Sequence, residues 1–409
     1  MRVCVVGSGG REHALADVLG RTADSVVVTP GNPGIPGSMS RPPEEVDADL
    51  FVVGPEQPLV DGLADRLRAR GALVFGPGED GARLEGSKVW MKRALAEANV
   101  PTARFASFDD SQEEDAISFL RDLPGFYVVK TDGLASGKGV FVTESLTEAI
   151  EDVRAKLSGA SFGAAGTRVV IEEGLTGPEL SLLCVCDGER IVPLAPARDY
   201  KRVGDGDEGP NTGGMGAFSP VPAVGDDLVG QILETIVEPT VGWLLRNDID
   251  YRGVLYAGLM LTPAGPKAIE YNIRFGDPEA QVVLPRVASD LTALLAEAAE
   301  GRIRSPVVFS SEAAVTVVCA TEGYPLTQRS GDVIEGLDRL RDAADVHVYF
   351  AGVAEDDDRR LVTSGGRVLD VTSRGEDVAD ARRRAYEAVS KISWPGMVFR
   401  RDVAADVTV

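Results

Sequence analysis

The chain has 409 residues, 44% of them hydrophobic and 26% charged, enough for about two to four domains around sizeable cores. Lys plus Arg number 42 against 64 Asp plus Glu, a formal net charge of −22, so nucleic acid and anionic membrane are excluded as bulk partners. A phosphate-bearing substrate must therefore be held by a local patch of cations and backbone N–H groups.

The first residues, Met1-Arg2-Val3-Cys4-Val5-Val6, run directly into Gly7-Ser8-Gly9-Gly10, which reads as a strand and turn and not as a signal peptide. No run reaches the roughly 18 consecutive apolar residues of a membrane span, and the expectation is a cytoplasmic monomer. The four cysteines, Cys4, Cys184, Cys186 and Cys319, have no CxxC spacing and read as buried reduced thiols. With only His13 and His347 present, zinc sites and His-based nucleophilic triads are set aside. Carboxylates, amides, lysines and arginines must carry the chemistry.

Residues 1–29 predict strand, glycine turn, helix and strand; Leu50-Phe51-Val52-Val53 ends in Gly54-Pro55-Glu56, and Leu73-Val74-Phe75 ends in Gly76-Pro77. Strands alternating with helices and closing on Gly or Pro predict a parallel α/β sheet with its ligand at the strands' carboxyl ends. From about Ser87 the pattern becomes mixed: a helix over 88–98, strands at 127–130, 168–173 and 179–186, and a Gly-dense polar loop over 199–217. A helix over 228–246 precedes strands 254–262 and 267–273. The last hundred residues predict a small α+β unit with no obvious chemistry of its own.

Three segments carry candidate chemistry. In Lys130-Thr131-Asp132-Gly133-Leu134-Ala135-Ser136-Gly137-Lys138-Gly139, a strand delivers one lysine and a glycine turn a second. Its glycines let backbone N–H groups approach an anion, but GxxxxGK[ST] spacing is absent, so this is not a P-loop. A lysine ending an apolar strand needs an anionic partner, although a glycine hairpin with surface lysines is the competing reading. The strand Val169-Val170-Ile171-Glu172-Glu173 ends in two carboxylates, which suit an adenine amino group and ribose hydroxyls or are solvated acids. In Glu270-Tyr271-Asn272-Ile273-Arg274-Phe275-Gly276-Asp277-Pro278-Glu279, Glu270 and Asn272 share a strand face as two oxygen ligands for one Mg²⁺ should. Arg274 is expected to continue that face and grip a carboxylate bidentately.

These three segments, in this order, resemble an ATP-grasp ligase. Gly9-Gly10-Arg11-Glu12-His13-Ala14, Leu84-Glu85-Gly86-Ser87-Lys88 and Asp199-Tyr200-Lys201-Arg202, running on to Asn211-Thr212-Gly213-Gly214-Met215-Gly216, are similar to the phosphoribosylamine–glycine ligase family within it. The resemblance covers essentially the whole chain. It implies a multidomain α/β and α+β architecture: an N-terminal Rossmann-like parallel α/β domain (1–87), an ATP-grasp domain of two α+β lobes (88–300, the smaller lobe about 102–173) and a C-terminal α+β domain (301–409). It implies ATP as co-substrate, Mg²⁺ or Mn²⁺, and glycine and 5-phosphoribosylamine as small-molecule substrates. By resemblance Glu270 and Asn272 bind the metal, and Lys88, Lys130, Lys138, Gly139, Glu172, Glu173, Leu175 and Glu179 line the nucleotide. Gly9, Gly10, Arg11, Glu12, Glu56, Asp199, Asn211, Thr212, Gly213, Gly214 and Arg274 hold the other substrates, with Arg274, Lys138 and Asp277 catalytic.

The sequence departs from the family in a shortened, Pro-rich 33–49 segment, in Tyr200 where His is expected and in Ile273 where Cys is usual. A nicotinamide-linked oxidoreductase is the rival from another class, suggested by Gly7-Ser8-Gly9-Gly10. That fingerprint needs a small residue where Glu12 stands.

Overall fold

The computed structural model describes residues 1–134, 139–159, 167–341, 343 and 345–407. Its first sheet is fully parallel, with Arg2–Gly7 flanked by Ser25–Pro30 on one side and by Leu50–Val53 and then Leu73–Phe75 on the other. Val3, Val5, Leu50 and Val52 are buried on one face of this sheet and Cys4, Val6, Phe51 and Val53 on the other. Helices cover both sides of such a sheet, which is why its strands read as unbroken apolar runs. Between Pro30 and Leu50 the only helix or strand is a 3₁₀ turn, Pro43–Glu45, so the shortened 33–49 segment adds no strand–helix unit to this sheet.

The central sheet is antiparallel, in the order Ile191–Pro193, Glu179–Asp187, Arg252–Thr262, Gly265–Asn272. One face carries Leu182, Cys184, Leu255, Ala257, Ala268 and Tyr271 into the core. The helix running from Asp226 to Arg246 packs there through Ile232, Ile236, Val241 and Leu244, and the Tyr271 hydroxyl bonds the Ile236 carbonyl at 3.2 Å. By length and composition alone that helix could cross a membrane, with 39% of its most apolar window buried in the protein. It is a helix with one apolar face committed to the core. Its middle turn, Leu233–Val237, is π-helical.

A second antiparallel sheet, Phe105–Asp109, Arg168–Glu173, Tyr127–Thr131 and Val140–Thr143, carries helices Glu113–Arg121 and Leu146–Leu157 and has its own small core. The third large sheet has five strands in the order Arg198–Asp199, Gly216–Ser219, Ala313–Ala320, Arg367–Gly375, Val346–Phe350, covered by helix Val378–Val389. The expectation of a Gly-dense polar loop over 199–217 is therefore corrected. Its ends are strands of this third sheet, and its middle is a hairpin pairing Arg202–Gly204 with Glu208–Asn211. A boundary drawn at residue 301 leaves these sheet partners on opposite sides of it.

Candidate active site

The site is built along residues 265–279, which first form an edge strand and then turn across the carboxyl ends of the N-terminal sheet. Glu270 stands opposite Gly258 and Asn272 opposite Tyr256, so both lie on the face away from buried Tyr271. The register shifts at Ile269, a bulge just before Glu270. A Cβ on Gly258 would meet the Glu270 Cγ at 3.1 Å, so the glycine makes room for that side chain. Burial would raise Glu270, but Lys201, Lys130, Lys88 and Arg274 around it hold its pKa below the usual carboxylate range. Four cations converge on one ionised carboxylate, the donors an acidic chain needs to hold polyphosphate, although three of them also pair with other carboxylates.

Each cation is fixed by a different element. Lys88 opens helix Lys88–Glu97, whose N-cap Ser87 accepts from the Trp90 N–H, and its ammonium donates to the Gly133 carbonyl at 2.8 Å. Lys130 is buried and sits 2.8 Å from Glu172, which also binds Lys92 at 2.8 Å. The anionic partner required by a buried strand lysine is thus Glu172 itself. Both of its oxygens face lysines, which makes it their counter-ion. Lys92 was not singled out in the sequence; burial pulls it down to about 8 despite Glu172. Lys201 pairs with Glu179 at 2.6 Å. Burial would lower its pKa, but Asp199, Glu179 and Glu270 hold it well above the ordinary value. Asp199 is pushed up to about 7 by burial and by Glu279, Glu179 and Glu270, with Lys201 opposing.

The remaining nucleotide candidates follow from the same two segments. Glu173 accepts from the Arg104 N–H at 3.0 Å and from Lys267 at 3.4 Å, and half-buried Leu175 follows it. The Gly139 carbonyl accepts from the Thr131 N–H at 2.9 Å. Lys138 lies outside the described residues.

Beyond Asn272 the expectation for Arg274 needs correction. The strand ends at Asn272, the Ile273 N–H bonds Glu85 at 2.9 Å, and the chain turns off the sheet. Arg274 then reaches Glu56 at 3.2 Å, Glu85 at 2.9 Å and the Asn272 side-chain oxygen at 3.2 Å. Burial raises the pKa of Glu85, while Glu85 and Glu56 hold Arg274 well above its ordinary value against burial. The guanidinium is a hub between the N-terminal sheet and the metal-ligand candidates. Glu85, quoted only within a motif, is a site residue that sequence reasoning passed over.

The N-terminal turn closes on the same hub. Arg11 donates to Glu12 at 2.6 Å and to the Phe275 carbonyl at 3.2 Å, and Glu12 accepts from the Gly9 N–H at 2.6 Å. Gly7 has φ +133°, and a Cβ there or on Gly54 would lie within 2.6 Å of Glu12 atoms, so the glutamate occupies the notch between two glycine turns. A residue that seemed too large for a dinucleotide fingerprint is accommodated because both walls lack side chains.

The C-terminal unit, expected to be without chemistry, supplies Arg367. It donates to the Gly213 carbonyl at 2.7 Å, to the Asp277 carbonyl at 2.9 Å and to the Asp277 carboxylate at 2.8 Å. Thr212 bonds the Lys201 carbonyl at 2.9 Å and accepts from the Gly214 N–H at 3.0 Å, while Asn211 ends the hairpin strand paired to Arg202. Buried Asp370 accepts from Gln281 at 2.9 Å, and Gln281 also reaches Asp277 at 2.7 Å. A Cβ on Gly10 would strike Asp370 at 1.8 Å, so the start of helix Gly10–Leu19 seats directly on this carboxyl. Tyr200, in place of a family His, turns away from this chemistry and bonds Asp406 at 2.9 Å and the Ala404 N–H at 2.8 Å.

Among the described residues no three His, Cys, Asp or Glu side chains form a metal cage. The donor set present, ionised Glu270 beside the Asn272 amide oxygen, fits a hard divalent cation that completes its shell with phosphate oxygens.

An antiparallel sheet with a lysine-bearing lobe over it and a Glu-x-Asn strand beneath defines an ATP-grasp enzyme. Solved structures agree on the fold: the biotin carboxylase domain of Hydrogenobacter thermophilus 2-oxoglutarate carboxylase, solved with MgADP and bicarbonate, superposes with TM-score 0.70 at 15% identity, covering 97% of this chain and 91% of that one. Within that class, the chain belongs to the phosphoribosylglycinamide synthetase family, whose N domain, ATP-grasp (A) domain and C domain models match residues 1–85, 86–280 and 314–406. It is 45% identical to the phosphoribosylamine–glycine ligase of Brucella melitensis over 98% of this chain and 97% of that protein. The Streptomyces coelicolor phosphoribosylamine–glycine ligase is 46% identical, covering 99% of each. The crystal structure of the Thermotoga maritima phosphoribosylamine–glycine ligase has TM-score 0.89 at 37% identity, covering 99% of this chain and all of that one.

Proposed function

We propose that this chain joins glycine to 5-phosphoribosylamine at the expense of ATP, releasing glycinamide ribonucleotide, ADP and phosphate. The observation that carries the reading is the gathering of Lys88, Lys130, Lys201 and Arg274 around ionised Glu270, with full-length similarity to ligases of that name. Among the described groups around Glu270 no serine, cysteine or histidine stands as a nucleophile. The cluster's inventory is positioning and charge stabilisation, which suits phosphoryl transfer to a carboxylate and capture of the acyl phosphate by an amine.

Glu270 and Asn272 would hold Mg²⁺ or Mn²⁺, which when bound neutralises charge on the transferring phosphoryl group. Lys88 and Lys130, with Lys138 and Gly139 from the glycine turn, hold the phosphates, and Glu173, Leu175 and Glu179 border the nucleoside. Arg274 stands between that cleft and the N-terminal turn, where it meets the glycine carboxylate. Gly9 to Glu12, Glu56 and the Arg367-held 211–214 loop surround the phosphoribosylamine. The reading includes a cytoplasmic enzyme acting as a monomer.

The test is ADP release with freshly generated phosphoribosylamine, omitting each substrate in turn. Release that requires ATP, glycine and the amine together is expected. Release independent of glycine would reject the reading, as would turnover of a nicotinamide cofactor.

A further inference from the structure

A cavity of about 270 Å³ opens away from the site described, sharing none of its residues. It lies where helix Gly10–Leu19, the 285–290 turn and the third sheet meet, and its walls include Arg21, Arg286, Arg374, Ser289, Ser310 and Asp290. Three guanidiniums and one carboxylate line it; Arg21 and Arg374 have carboxylate partners beyond the lining, and Arg286 has none among the described residues. The carboxylate is already engaged, since Asp290 caps helix Leu291–Glu300 by accepting from the Ala293 N–H at 2.9 Å.

Arg286 is the informative group. It is 5% exposed, donates to the Glu312 carbonyl and the Ser219 hydroxyl at 2.7 Å each, and its Nη2 donates to no described residue. Among the described residues no carboxylate forms an ion pair with it, and burial pulls its pKa down to about 10. A buried charge without a counter-ion is costly, and an anion relieves that cost. Around it, the Ser310 hydroxyl and Arg374 Nε are buried without a hydrogen-bond partner. Arg21 spends its Nη1 on the Pro285 and Val287 carbonyls and lies 3.7 Å from Asp17. Arg374 pairs with Glu312 and Asp345, so its two amino groups are already taken.

We propose that this cavity is a binding site for a small tetrahedral oxyanion, free phosphate or a phosphate monoester, held by Arg286 with Arg21 and Ser310. The volume falls just below the ~300 Å³ at which drug-sized pockets begin, which suits a small anion. Donors from three separate chain segments match an anion with several outward oxygens better than a single planar carboxylate. Occupancy would tie the N-terminal helix to the third sheet through Ser219, the end of the strand that follows the 211–214 loop.

The direct test is a crystal of the full chain, grown with MgADP to fill the nucleotide cleft and soaked in selenate, whose anomalous scattering locates the anion. A selenate within hydrogen-bond distance of Arg286 is expected; selenate confined to the cleft or to lattice surfaces overturns the proposal. In solution with MgADP, inorganic phosphate and methyl phosphate are titrated against the melting temperature. Arg21→Ala/Ser310→Ala, which spares the buried Arg286 ties, should need about tenfold or more anion for the same shift, the loss expected for a charged hydrogen bond. Tighter methyl phosphate binding assigns a monoester, equal or weaker binding assigns free phosphate, and identical titrations of wild type and variant reject the site.

Discussion

Arg274 shows how a residue's neighbours sharpen what its type implies. Lysine would keep its charge but cannot span Glu56 and Glu85 with a planar fork while presenting further N–H groups to a carboxylate. Arg274→Lys is expected to fold, to bind ATP normally and to lose about 1.5–3 kcal/mol in kcat/KM for glycine, the scale of a hydrogen bond to a charged group. Steady-state kinetics with each substrate varied, beside a thermal melt, check this; unaltered glycine kinetics would move glycine recognition to Asp277 or the 211–216 loop. Glu270→Gln keeps the shape opposite Gly258 but removes the charge that four cations hold in place. Turnover should fall by about two orders of magnitude, near 3 kcal/mol, with a higher Mg²⁺ requirement. Wild-type rates at limiting Mg²⁺ would take Glu270 out of the metal site.

At the scale of elements, the sequence was most readable where one face or both of a strand are buried. Leu50–Val53 and Leu73–Phe75 appear as apolar runs closed by glycine because a parallel strand between two helical layers has no wet face. The hairpin of Arg202–Gly204 with Glu208–Asn211 is invisible in the sequence because its strands are three and four residues long and mostly polar, partly or fully exposed, with no alternation to betray them. Arg367 was equally hidden: it meets Asp277 from 90 residues away, and nothing local marks a strand arginine as a clamp for a loop in another unit. The seat of Glu12 has no local signal for a similar reason, since the notch it fills is made by Gly7 and Gly54 together.

Asp370 offers a test of that junction. Burial and Asp277 push it up to about 7, with Arg367 and Gln281 opposing and Glu12 adding to the rise. An acid whose folded pKa exceeds its unfolded value binds more protons when folded, so its contribution is fully present below the unfolded pKa, near 4, and is lost as pH rises through 7. Asp370→Asn imitates the protonated acid and keeps an acceptor for Gln281. Its melting temperature should gain on wild type as pH rises from 4 to 8, by no more than about 4 kcal/mol of stability. Parallel melting curves for the two proteins across that range would contradict the assignment.

Over the whole molecule, two cores each join the N-terminal sheet to the central one, while the third sheet and the small lobe have cores of their own. All four cysteines are free and buried within them, and burial pushes Cys4 and Cys186 up to about 12. The native enzyme should therefore leave a thiol reagent unreacted at pH 8 and expose four thiols on unfolding. Rapid native labelling would show that one of these cores opens. The central claim is that ATP activates the glycine carboxylate within the cluster around Glu270. Glycine labelled with ¹⁸O in its carboxylate tests it most directly, read by mass spectrometry of the released phosphate. One labelled oxygen should appear in the phosphate for each glycinamide ribonucleotide formed, whereas phosphate carrying no label from glycine would contradict the acyl phosphate route.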